Sequence, residues 1–222
     1  MKIKNIYNYW SETYNRKKIK ETPSDFAKFT LKYLQDEKIN FKNVVDLGSG
    51  NLRDSSFFLK NNFKVISYDL VNGDNKPSNK NNKFSNFQII NDDILNMRKY
   101  KKELKNINIF YSRFFHHAIS LKRQDELHKF IKNLKKQVYF FIETRSINDT
   151  QMINKGKKIS KNTFSYEHGH IRRFTDPNEL LKNLFKLNFK LKYFEESDRF
   201  SIFKINNRIE KPMLLRIILS NF

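Results

Sequence analysis

Two glycines and an acidic residue in the first half of the chain have the spacing of a ligand-binding turn. Asp46, Gly48 and Gly50 lie in the segment VVDLGSGNLRD, where an apolar strand-like run meets a glycine turn. Glycines between a strand and a helix let the backbone approach a ligand and point amide groups at it. A carboxylate just before the turn would repel a pyrophosphate, so Asp46 favours a ligand that carries an ammonium group.

Further acids follow the next two strand-like runs. Asp69 ends KVISYD, nineteen positions after Gly50. A carboxylate there can accept hydrogen bonds from both hydroxyls of a ribose. Asp92 and Asp93 end FQIINDD, and one of them could accept a hydrogen bond from an adenine amino group. Because α/β folds bind ligands at the carboxyl ends of their strands, these acids are expected to meet at one edge of a sheet.

Other glycine-turn chemistries are disfavoured. A dinucleotide fingerprint would need a glycine at position 53, where the chain has Arg53. A phosphate-binding loop would end in Gly-Lys-Ser/Thr, which the sequence lacks. A nicotinamide-dependent dehydrogenase is therefore the least favoured class of enzyme.

Arginine and histidine gather at three places in the second half of the chain. An arginine fork pairs in a bidentate way with phosphate or carboxylate, which a lysine does not. We therefore expect a small anionic substrate there, with His117 or His170 as base or hydrogen-bond donor and either Arg172 or Arg173 completing the arginine set. Glu143 either takes part or pairs with a neighbouring arginine to hold the site rigid. The candidate catalytic residues are Arg113, His117, Glu143, Arg145, His170, Arg172 and Arg173.

A metal centre is not expected. His116, His117, His168 and His170 are possible ligands, but neighbouring side chains on a strand point to opposite faces. The sequence has no cysteine, which excludes disulfides, a thiolate zinc site and a cysteine nucleophile.

Helix and strand signals alternate along the chain, which is typical of an α/β fold with a doubly wound, mostly parallel sheet. Strand-like runs begin near Asn43, Lys64, Phe87, Asn106 and Gln137. The candidate residues follow the ends of these runs. Two closing runs, 189–195 and 213–219, are expected to pair as a C-terminal antiparallel hairpin.

Capping residues and apolar spacing predict the helices. One helix is expected to begin at Thr22, whose hydroxyl can cap free amides. Its buried face would comprise Phe26, Phe29, Tyr33 and Leu34. A second covers 55–60, Ser120 caps a third, and Asp176 opens a capping box for a fourth. The inward face of that last helix would comprise Leu180, Leu181, Leu184 and Phe185.

Two polar segments lack such signals. Residues 72–86 are rich in Asn and Lys and are expected to form an exposed loop. Residues 144–174 are long enough to form a functional loop, which we assign to substrate binding.

Composition favours one domain over residues 1–222 with a sizeable core, because apolar residues make up 38% of the chain. The formal net charge is +21, which could attract nucleic acid or phosphorylated molecules, although most of the lysines are scattered. No apolar run approaches the roughly 18 residues that cross a bilayer, and the start lacks a signal-peptide core. We therefore expect a cytoplasmic protein without membrane insertion.

With these residues in place, the sequence resembles the class I S-adenosylmethionine-dependent methyltransferases from about Asn43 to the closing hairpin. The resemblance implies a Rossmann-like fold and S-adenosylmethionine as cofactor. In the family's pattern, Asp69 is the ribose acid and Asp93 the adenine-contact acid. The positions that the resemblance assigns to the cofactor are Asp46, Gly48, Gly50, Asp54, Asp69, Asp93 and Ile94.

Two features of the resemblance concern the edges of the cofactor site. Leu52 stands where glycine is usual, which would narrow the approach to the methionine end of the cofactor. Residues 1–40, with Tyr7, Tyr9, Trp10 and Tyr14, resemble the helical lid that such enzymes fold over the cofactor. Simple core packing is the alternative interpretation of these aromatic residues.

A narrower resemblance concerns the acceptor. The phrases YSRFFHHAI, FIETRS, HIRRFTD and PMLLRIIL resemble small bacterial methyltransferases encoded among surface-polysaccharide genes, including those for capsule sugars and O-methyl phosphoramidate. This resemblance implies O-methylation of a sugar phosphate, nucleotide sugar or phosphoramidate in capsule polysaccharide biosynthesis.

Two alternatives stay open. The net charge suggests an RNA methyltransferase, although YSRF stands where an amino-methylating enzyme would carry an NPPY motif. The other alternative is a non-catalytic binding module that keeps the fold, and Leu52 is its support.

Overall fold

The computed structural model describes residues 9–11, 22–71, 85–166, 170–205 and 208–222. Tyr7 and Tyr14 of the predicted lid therefore lie outside the described residues, as do most of the loop predicted at 72–86 and the histidine at 168. The chain divides into two compact units, Met1–Tyr111 and Ser112–Phe222. We call them the N-terminal and the C-terminal unit and describe each by itself.

The N-terminal unit alternates helices and strands. Its elements are α1 (Asp25–Asp36), β1 (Asn43–Leu47), α2 (Arg53–Lys60), β2 (Lys64–Asp69), β3 (Phe87–Asn91), a 3-10 helix (Ile94–Tyr100), α3 (Lys101–Leu104) and most of β4 (Ile109–Arg113). β1 pairs in parallel with β2, and β2 pairs in parallel with β3. The buried residues Val44, Val45, Phe58, Phe63 and Ile66 form part of its core.

Among its described residues, the C-terminal unit contains three helices, three whole strands of the main sheet, a two-stranded sheet and a three-stranded sheet. Its elements are α4 (Leu121–Lys132), β5 (Tyr139–Arg145), α5 (Thr150–Ile153), β6 (Lys157–Ser160), β7 (Thr163–Ser165), β8 (Ile171–Arg173), α6 (Pro177–Lys186), β9 (Lys190–Ser197), β10 (Phe203–Ile205), β11 (Arg208–Glu210) and β12 (Leu214–Ser220). β12 pairs antiparallel with both β5 and β9, which confirms the predicted closing hairpin. All seven residues of β12 are buried.

The main sheet has seven strands in the order β3-β2-β1-β4-β5-β12-β9. This mixed α/β fold, mostly parallel with an antiparallel pair at one edge, is the predicted fold class. None of the helices in the described part of the chain has the length and apolar character needed to cross a bilayer.

The start of the first helix differs from the prediction. The N-cap of α1 is Ser24 rather than Thr22, and its hydroxyl accepts a hydrogen bond from the Ala27 amide. Both side chains can cap a helix, but the amide and hydroxyl of Ser24 also donate to the Asp54 carboxylate at 2.7 Å each. This tertiary partner fixes the boundary.

Two other predictions were wrong. Residues 144–174 do not form one loop: they contain the end of β5, the short helix α5 and the antiparallel sheet β6-β7-β8. On α6, Leu180 and Leu184 are buried, but Phe185 is 45% exposed. The apolar face of α6 is thus narrower than its sequence suggested.

Candidate functional site

The glycine turn of the N-terminal unit has the backbone geometry that its glycines predicted. Gly48 and Gly50 have φ angles of 72° and 54°, which other residues adopt only at a cost. The Gly48 amide donates to the Tyr68 carbonyl at 2.8 Å. The Gly50 amide donates to Oδ2 of Asp69 at 2.8 Å. The turn after β1 and the acid at the end of β2 are therefore in direct contact.

Asp69 is held by backbone groups on both sides. Its Oδ1 accepts from the Val71 amide at 3.0 Å, while Oδ2 accepts from Gly50. Burial raises the pKa of Asp69 to about 6, although the hydrogen bonds from the backbone oppose this. These hydrogen bonds fix the carboxylate in place, and its role at the ribose hydroxyls stays a prediction.

Asp46, just before the glycine turn, and Ser49, within it, are both buried. Oδ2 of Asp46 accepts a hydrogen bond from the Ser55 hydroxyl at 2.6 Å. The same Ser55 hydroxyl lies 2.7 Å from the Ser67 hydroxyl. The Ser49 hydroxyl, between the two glycines, is buried without a hydrogen-bond partner among the described residues. An unsatisfied buried hydroxyl is uncommon and costs stability, so the turn can still accept a polar ligand group.

The third strand end joins this arrangement through backbone and side-chain bonds. The Tyr68 hydroxyl donates to the Asp93 carbonyl at 2.9 Å, and Oδ1 of Asp93 caps the following 3-10 helix through the Leu95 amide. Ile94 is buried beside it. The ends of β1, β2 and β3 therefore meet at one edge of the sheet, as predicted. The cofactor contacts stay predictions for all six residues: Asp46, Gly48, Gly50, Asp69, Asp93 and Ile94.

Asp92 is less suited than Asp93 to bind a ligand. Its Oδ1 accepts from the Asp93 amide and the Asn96 side chain at 2.7 Å each, and Oδ2 accepts from the Tyr100 hydroxyl at 2.9 Å. Partial burial raises the pKa of Asp92, but these hydrogen bonds outweigh it and hold that pKa below its ordinary value.

Asp54 and Leu52 follow the glycine turn and contribute to the structure around it. Asp54 is buried and accepts from Ser24 and from the Tyr111 hydroxyl, the latter at 2.8 Å. These contacts tie α2 to the start of α1, and the role of Asp54 in the cofactor site stays a prediction. Leu52 is buried and has a left-handed φ of 63°, a conformation that glycine adopts without steric cost.

In the C-terminal unit, backbone hydrogen bonds bring the predicted arginine and histidine segments together. The Phe114 amide donates to the Glu143 carbonyl at 2.8 Å. The Arg173 amide donates to the His117 carbonyl at 3.0 Å, and the Thr175 amide donates to the Arg145 carbonyl at 2.9 Å. Segments that are far apart in the sequence are thus fixed side by side.

The side chains of three of these residues surround the ring of Phe114. The guanidinium of Arg113 lies 4.2 Å from the ring centroid and that of Arg145 lies 5.9 Å from it. The His117 ring is 5.3 Å from it, centroid to centroid. Phe114 itself has a φ of 57°, a conformation that costs a bulky residue energy and is concentrated at functional sites. We call Arg113, Phe114, His117 and Arg145 the Phe114 cluster.

Two buried carboxylates hold the arginines of the Phe114 cluster. Glu143 is fully buried and accepts from Nε of Arg113 at 3.1 Å and from Nε of Arg216 at 2.8 Å. Asp149 accepts a short hydrogen bond from Nη1 of Arg145. Glu143 therefore positions arginines, which is the second of its two predicted roles.

Arg216 was missed by the sequence analysis. It is buried on β12 directly opposite Glu143 on β5, and its guanidinium lies 4.1 Å from the Phe200 ring centroid. A single arginine inside the otherwise apolar run LLRIILS was the available signal, because a buried charge requires a partner.

His117 is the most unusual side chain of the cluster. It is buried, and its Nδ1 has no hydrogen-bond partner within the described residues. Burial, followed by the charges of Arg172, Arg145, His170 and Arg113, lowers the pKa of His117 well below its usual value. The imidazole is therefore neutral at neutral pH, and the four groups whose charges lower its pKa are all basic.

Arg172 and Arg173 take opposite directions from β8. Nε of Arg172 is 3.4 Å from Nε2 of the buried His170, and its guanidinium lies 5.7 Å from the Tyr166 ring. Arg173 instead donates to the His116 carbonyl at 3.0 Å and to the Gln124 side chain. Of the two alternatives, Arg172 is the one whose charge acts on His117, and the predicted role of Arg173 at the anion is disfavoured by its carbonyl partners.

His116 belongs to the core. Its Nδ1 lies 2.8 Å from the Ser112 hydroxyl, and its Nε2 lies 3.1 Å from Nε2 of His128. Burial lowers the pKa of both histidines, that of His128 to about 3. Over the described ranges, no group of three or more potential metal ligands was found.

Comparison with known proteins identifies the fold of this chain through solved structures. No protein-family model and no curated protein sequence matches the chain. A methyltransferase of Anabaena variabilis superposes with a TM-score of 0.67 at 18% identity, covering 98% of this chain and 93% of its own. The chain has the fold of the class I S-adenosylmethionine-dependent methyltransferases.

Two further solved structures agree. A methyltransferase of Clostridium acetobutylicum superposes with a TM-score of 0.65 at 14% identity over 96% of this chain and 98% of its own. The 1,6-didemethyltoxoflavin N1-methyltransferase of Burkholderia thailandensis, crystallised with S-adenosylhomocysteine, superposes with a TM-score of 0.64 at 12% identity over 96% of this chain and 83% of its own. At such identities the likeness extends to the fold and leaves the acceptor open.

Proposed function

We propose that this protein is an S-adenosylmethionine-dependent methyltransferase and that its N-terminal unit binds the cofactor. The observation that carries the proposal is the Gly50–Asp69 hydrogen bond of 2.8 Å, which links the glycine turn to the acid at the end of the next strand. The methyltransferase fold and the buried, unpartnered Ser49 hydroxyl support it.

The residues fit the parts of the cofactor. Asp69 would hold the ribose hydroxyls, and Asp93 with Ile94 would contact the adenine. The backbone at Gly48 and Gly50 would lie against the ligand, and Asp46 would face the ammonium group directly or through Ser55. When bound, S-adenosylmethionine supplies an electrophilic methyl group.

The acceptor would be an oxygen of a small anionic molecule bound by the C-terminal unit. Arg113, Arg145 and Arg172 would orient it, and a hydroxyl acceptor would need a group to take its proton. His117, neutral because of its lowered pKa, could accept that proton, and His170 is the second candidate. A phosphate oxygen would need no base, and alignment would then be the main contribution of these residues.

For the pathway, we propose the O-methylation of a sugar phosphate, nucleotide sugar or phosphoramidate in capsule or other surface-polysaccharide biosynthesis. The resemblance of YSRFFHHAI and HIRRFTD to enzymes of such gene clusters supports this, as does the arginine-rich Phe114 cluster. Incubation of protein and cofactor with an extract of phosphorylated metabolites, read by mass spectrometry, should show one acceptor gaining a methyl mass. Methylation of bulk RNA instead would favour the RNA alternative.

The cofactor assignment is tested by calorimetry with S-adenosylhomocysteine on the full chain. Asp69→Ala should weaken binding at least tenfold, equivalent to about 1.4 kcal/mol, because the ribose loses its acceptor. Asp25→Ala is the matched control, since Asp25 is exposed on α1 and should bind like the wild type. Absence of binding by the wild type, or equal binding by Asp69→Ala, would refute the assignment.

A further inference from the structure

We propose that the Phe114 cluster is a binding site for a phosphate monoester, the terminal PO₃ group of a small molecule. The proposal deepens the proposed function. It rests on that function only for the claim that the molecule carrying the phosphate is the methyl acceptor. The binding itself involves only residues of the C-terminal unit and can be measured without the cofactor.

The first argument is that the two arginines keep hydrogen-bond donors in reserve. Arg113 uses Nε for Glu143, and no bond to its terminal nitrogens is found among the described residues. Arg145 uses Nη1 for Asp149, which leaves its Nε and Nη2 without a bond in the same part of the chain. Both side chains reach solvent, with 14% and 10% of their surfaces exposed.

The second argument is that these arginines cannot shift to find other partners. Glu143 and Asp149 are buried, and each fixes one edge of a guanidinium. The ring of Phe114 covers the face of Arg113 at 4.2 Å. Arginines held in this way are preorganised, so a ligand would lose little of its binding energy to ordering them.

The third argument is the unsatisfied nitrogen of His117. A buried polar atom without a partner costs about 1–3 kcal/mol, and Nδ1 of His117 is such an atom in the described structure. A rotation of the imidazole that brought Nδ1 to a ligand oxygen would remove this cost. All four groups whose charges act on His117 are basic, so the favoured ligand is an anion.

The geometry favours a monoester over other anions. The donors come from the end of β4, the turn after it and the end of β5, and therefore approach from different segments. A phosphate monoester offers three acceptor oxygens and close to two negative charges, whereas a carboxylate offers two oxygens in one plane. A phosphodiester, as in nucleic acid or phospholipid, carries one charge and a substituent on either side, which a largely buried site excludes.

The test is calorimetry of the full chain, without cofactor, at fixed ionic strength and pH 7.5. Inorganic phosphate and glycerol phosphate are compared with dimethyl phosphate and acetate. We expect the first two to bind at least ten times more tightly than the last two. Equal binding of all four anions would overturn the proposal, and so would preferential binding of dimethyl phosphate, which would instead indicate a nucleic-acid or lipid partner.

Variants then locate the site. Arg113→Met should weaken glycerol phosphate binding at least tenfold, and Arg113→Lys should restore only part of it because a lysine lacks the fork. Glu143 keeps Arg216 as a partner in both variants. Arg199→Met, which removes the same charge from an 83% exposed position of this unit, is the control. An equal loss in Arg199→Met would contradict the proposal by showing attraction to net charge alone.

The experiment separates the two proposals. If the chain binds glycerol phosphate but not S-adenosylhomocysteine, the anion site stands and the methyltransferase assignment fails. If it binds S-adenosylhomocysteine but none of the phosphate monoesters, the reverse holds. The comparison of the four anions on the wild type remains decisive even if a variant does not fold.

Discussion

The two candidate sites differ in the chemical groups that form them. The glycine turn of the N-terminal unit is made of backbone groups and short acids, and the carboxylates of Asp69 and Asp93 accept from backbone amides two to nineteen residues away in sequence. The Phe114 cluster of the C-terminal unit is made of long charged side chains held by two buried carboxylates, Glu143 on the neighbouring strand β5 and Asp149 just after that strand. Both sites depend on strand pairing, but the first is held mainly by hydrogen bonds to backbone amides, whereas the second is held by buried ion pairs.

This difference predicts in which of the two sites a mutation can change ligand binding without also changing the stability of the fold. In the glycine turn, a change of one side chain should affect ligand binding more than folding. In the Phe114 cluster, the residues that position the arginines are part of the core, so their loss should unfold the protein first. The following predictions test this contrast, beginning with the largest effect.

Replacing Glu143 should have the largest effect on folding. Glu143→Ala leaves the buried guanidinium of Arg216 and the Nε of Arg113 without their carboxylate. Breaking a buried pair in this way typically costs about 3–5 kcal/mol. Urea unfolding followed by circular dichroism should show this loss, with Glu195→Ala, whose side chain is 39% exposed, as control. A loss below about 1 kcal/mol would mean that Glu143 does not organise the core.

Acid should destabilise the protein through its buried histidines. Burial lowers the pKa of His128 to about 3, so the unfolded chain binds a proton below its ordinary pKa of about 6.5 while the folded chain does not. The stabilisation is complete above pH 6.5 and decreases by about 1.4 kcal/mol per pH unit below it. His128→Gln should therefore flatten the dependence of the unfolding free energy on pH by this amount between pH 6 and 4. Parallel curves for the two proteins would refute this.

Cofactor binding should weaken in acid because of Asp69. Its raised pKa of about 6 means that the carboxylate, the form that accepts ribose hydroxyls, is replaced by the neutral acid as the pH falls through 6. The affinity for S-adenosylhomocysteine should then fall up to about tenfold per pH unit. Asp69→Asn should bind weakly with no such dependence. A wild-type affinity that is constant from pH 7.5 to 5 would contradict the ribose assignment.

The smallest expected effect separates binding from folding at Ser49. Ser49→Ala removes a buried hydroxyl without a partner, so the free energy of unfolding should stay equal or rise. If that hydroxyl bonds the cofactor, the affinity for S-adenosylhomocysteine should fall by about 0.5–1.5 kcal/mol. Ser55→Ala is the control, because Ser55 bonds Asp46 and Ser67 and its loss should reduce stability. Unchanged affinity in Ser49→Ala would place the cofactor away from the hydroxyl.

The sequence predicted the parts of the molecule that local chemistry determines. The strand-glycine-acid order located the contact between Gly50 and Asp69, because the direction of parallel strands brings their carboxyl ends together. Arginine clustering also identified the segments that meet around Phe114, since arginine is the less common cation in this chain.

Tertiary partners decided what the sequence could not show. The start of α1 depends on Asp54, thirty residues away from Ser24, and the choice between Arg172 and Arg173 depends on carbonyls of the segment 116–119. The sheet β6-β7-β8 was missed because its strands are short, and all four residues of β6 are exposed, so no alternating apolar pattern marks them. Arg216 was missed because it lies inside an apolar run.

The most direct measurement is a crystal structure of the full chain grown with S-adenosylhomocysteine. The account predicts that the ribose hydroxyls lie within about 3 Å of the Asp69 carboxylate, with the backbone of Gly48 and Gly50 against the ligand. An adenosine bound elsewhere on the chain, with Asp69 in contact only with the amides of Gly50 and Val71, would contradict it.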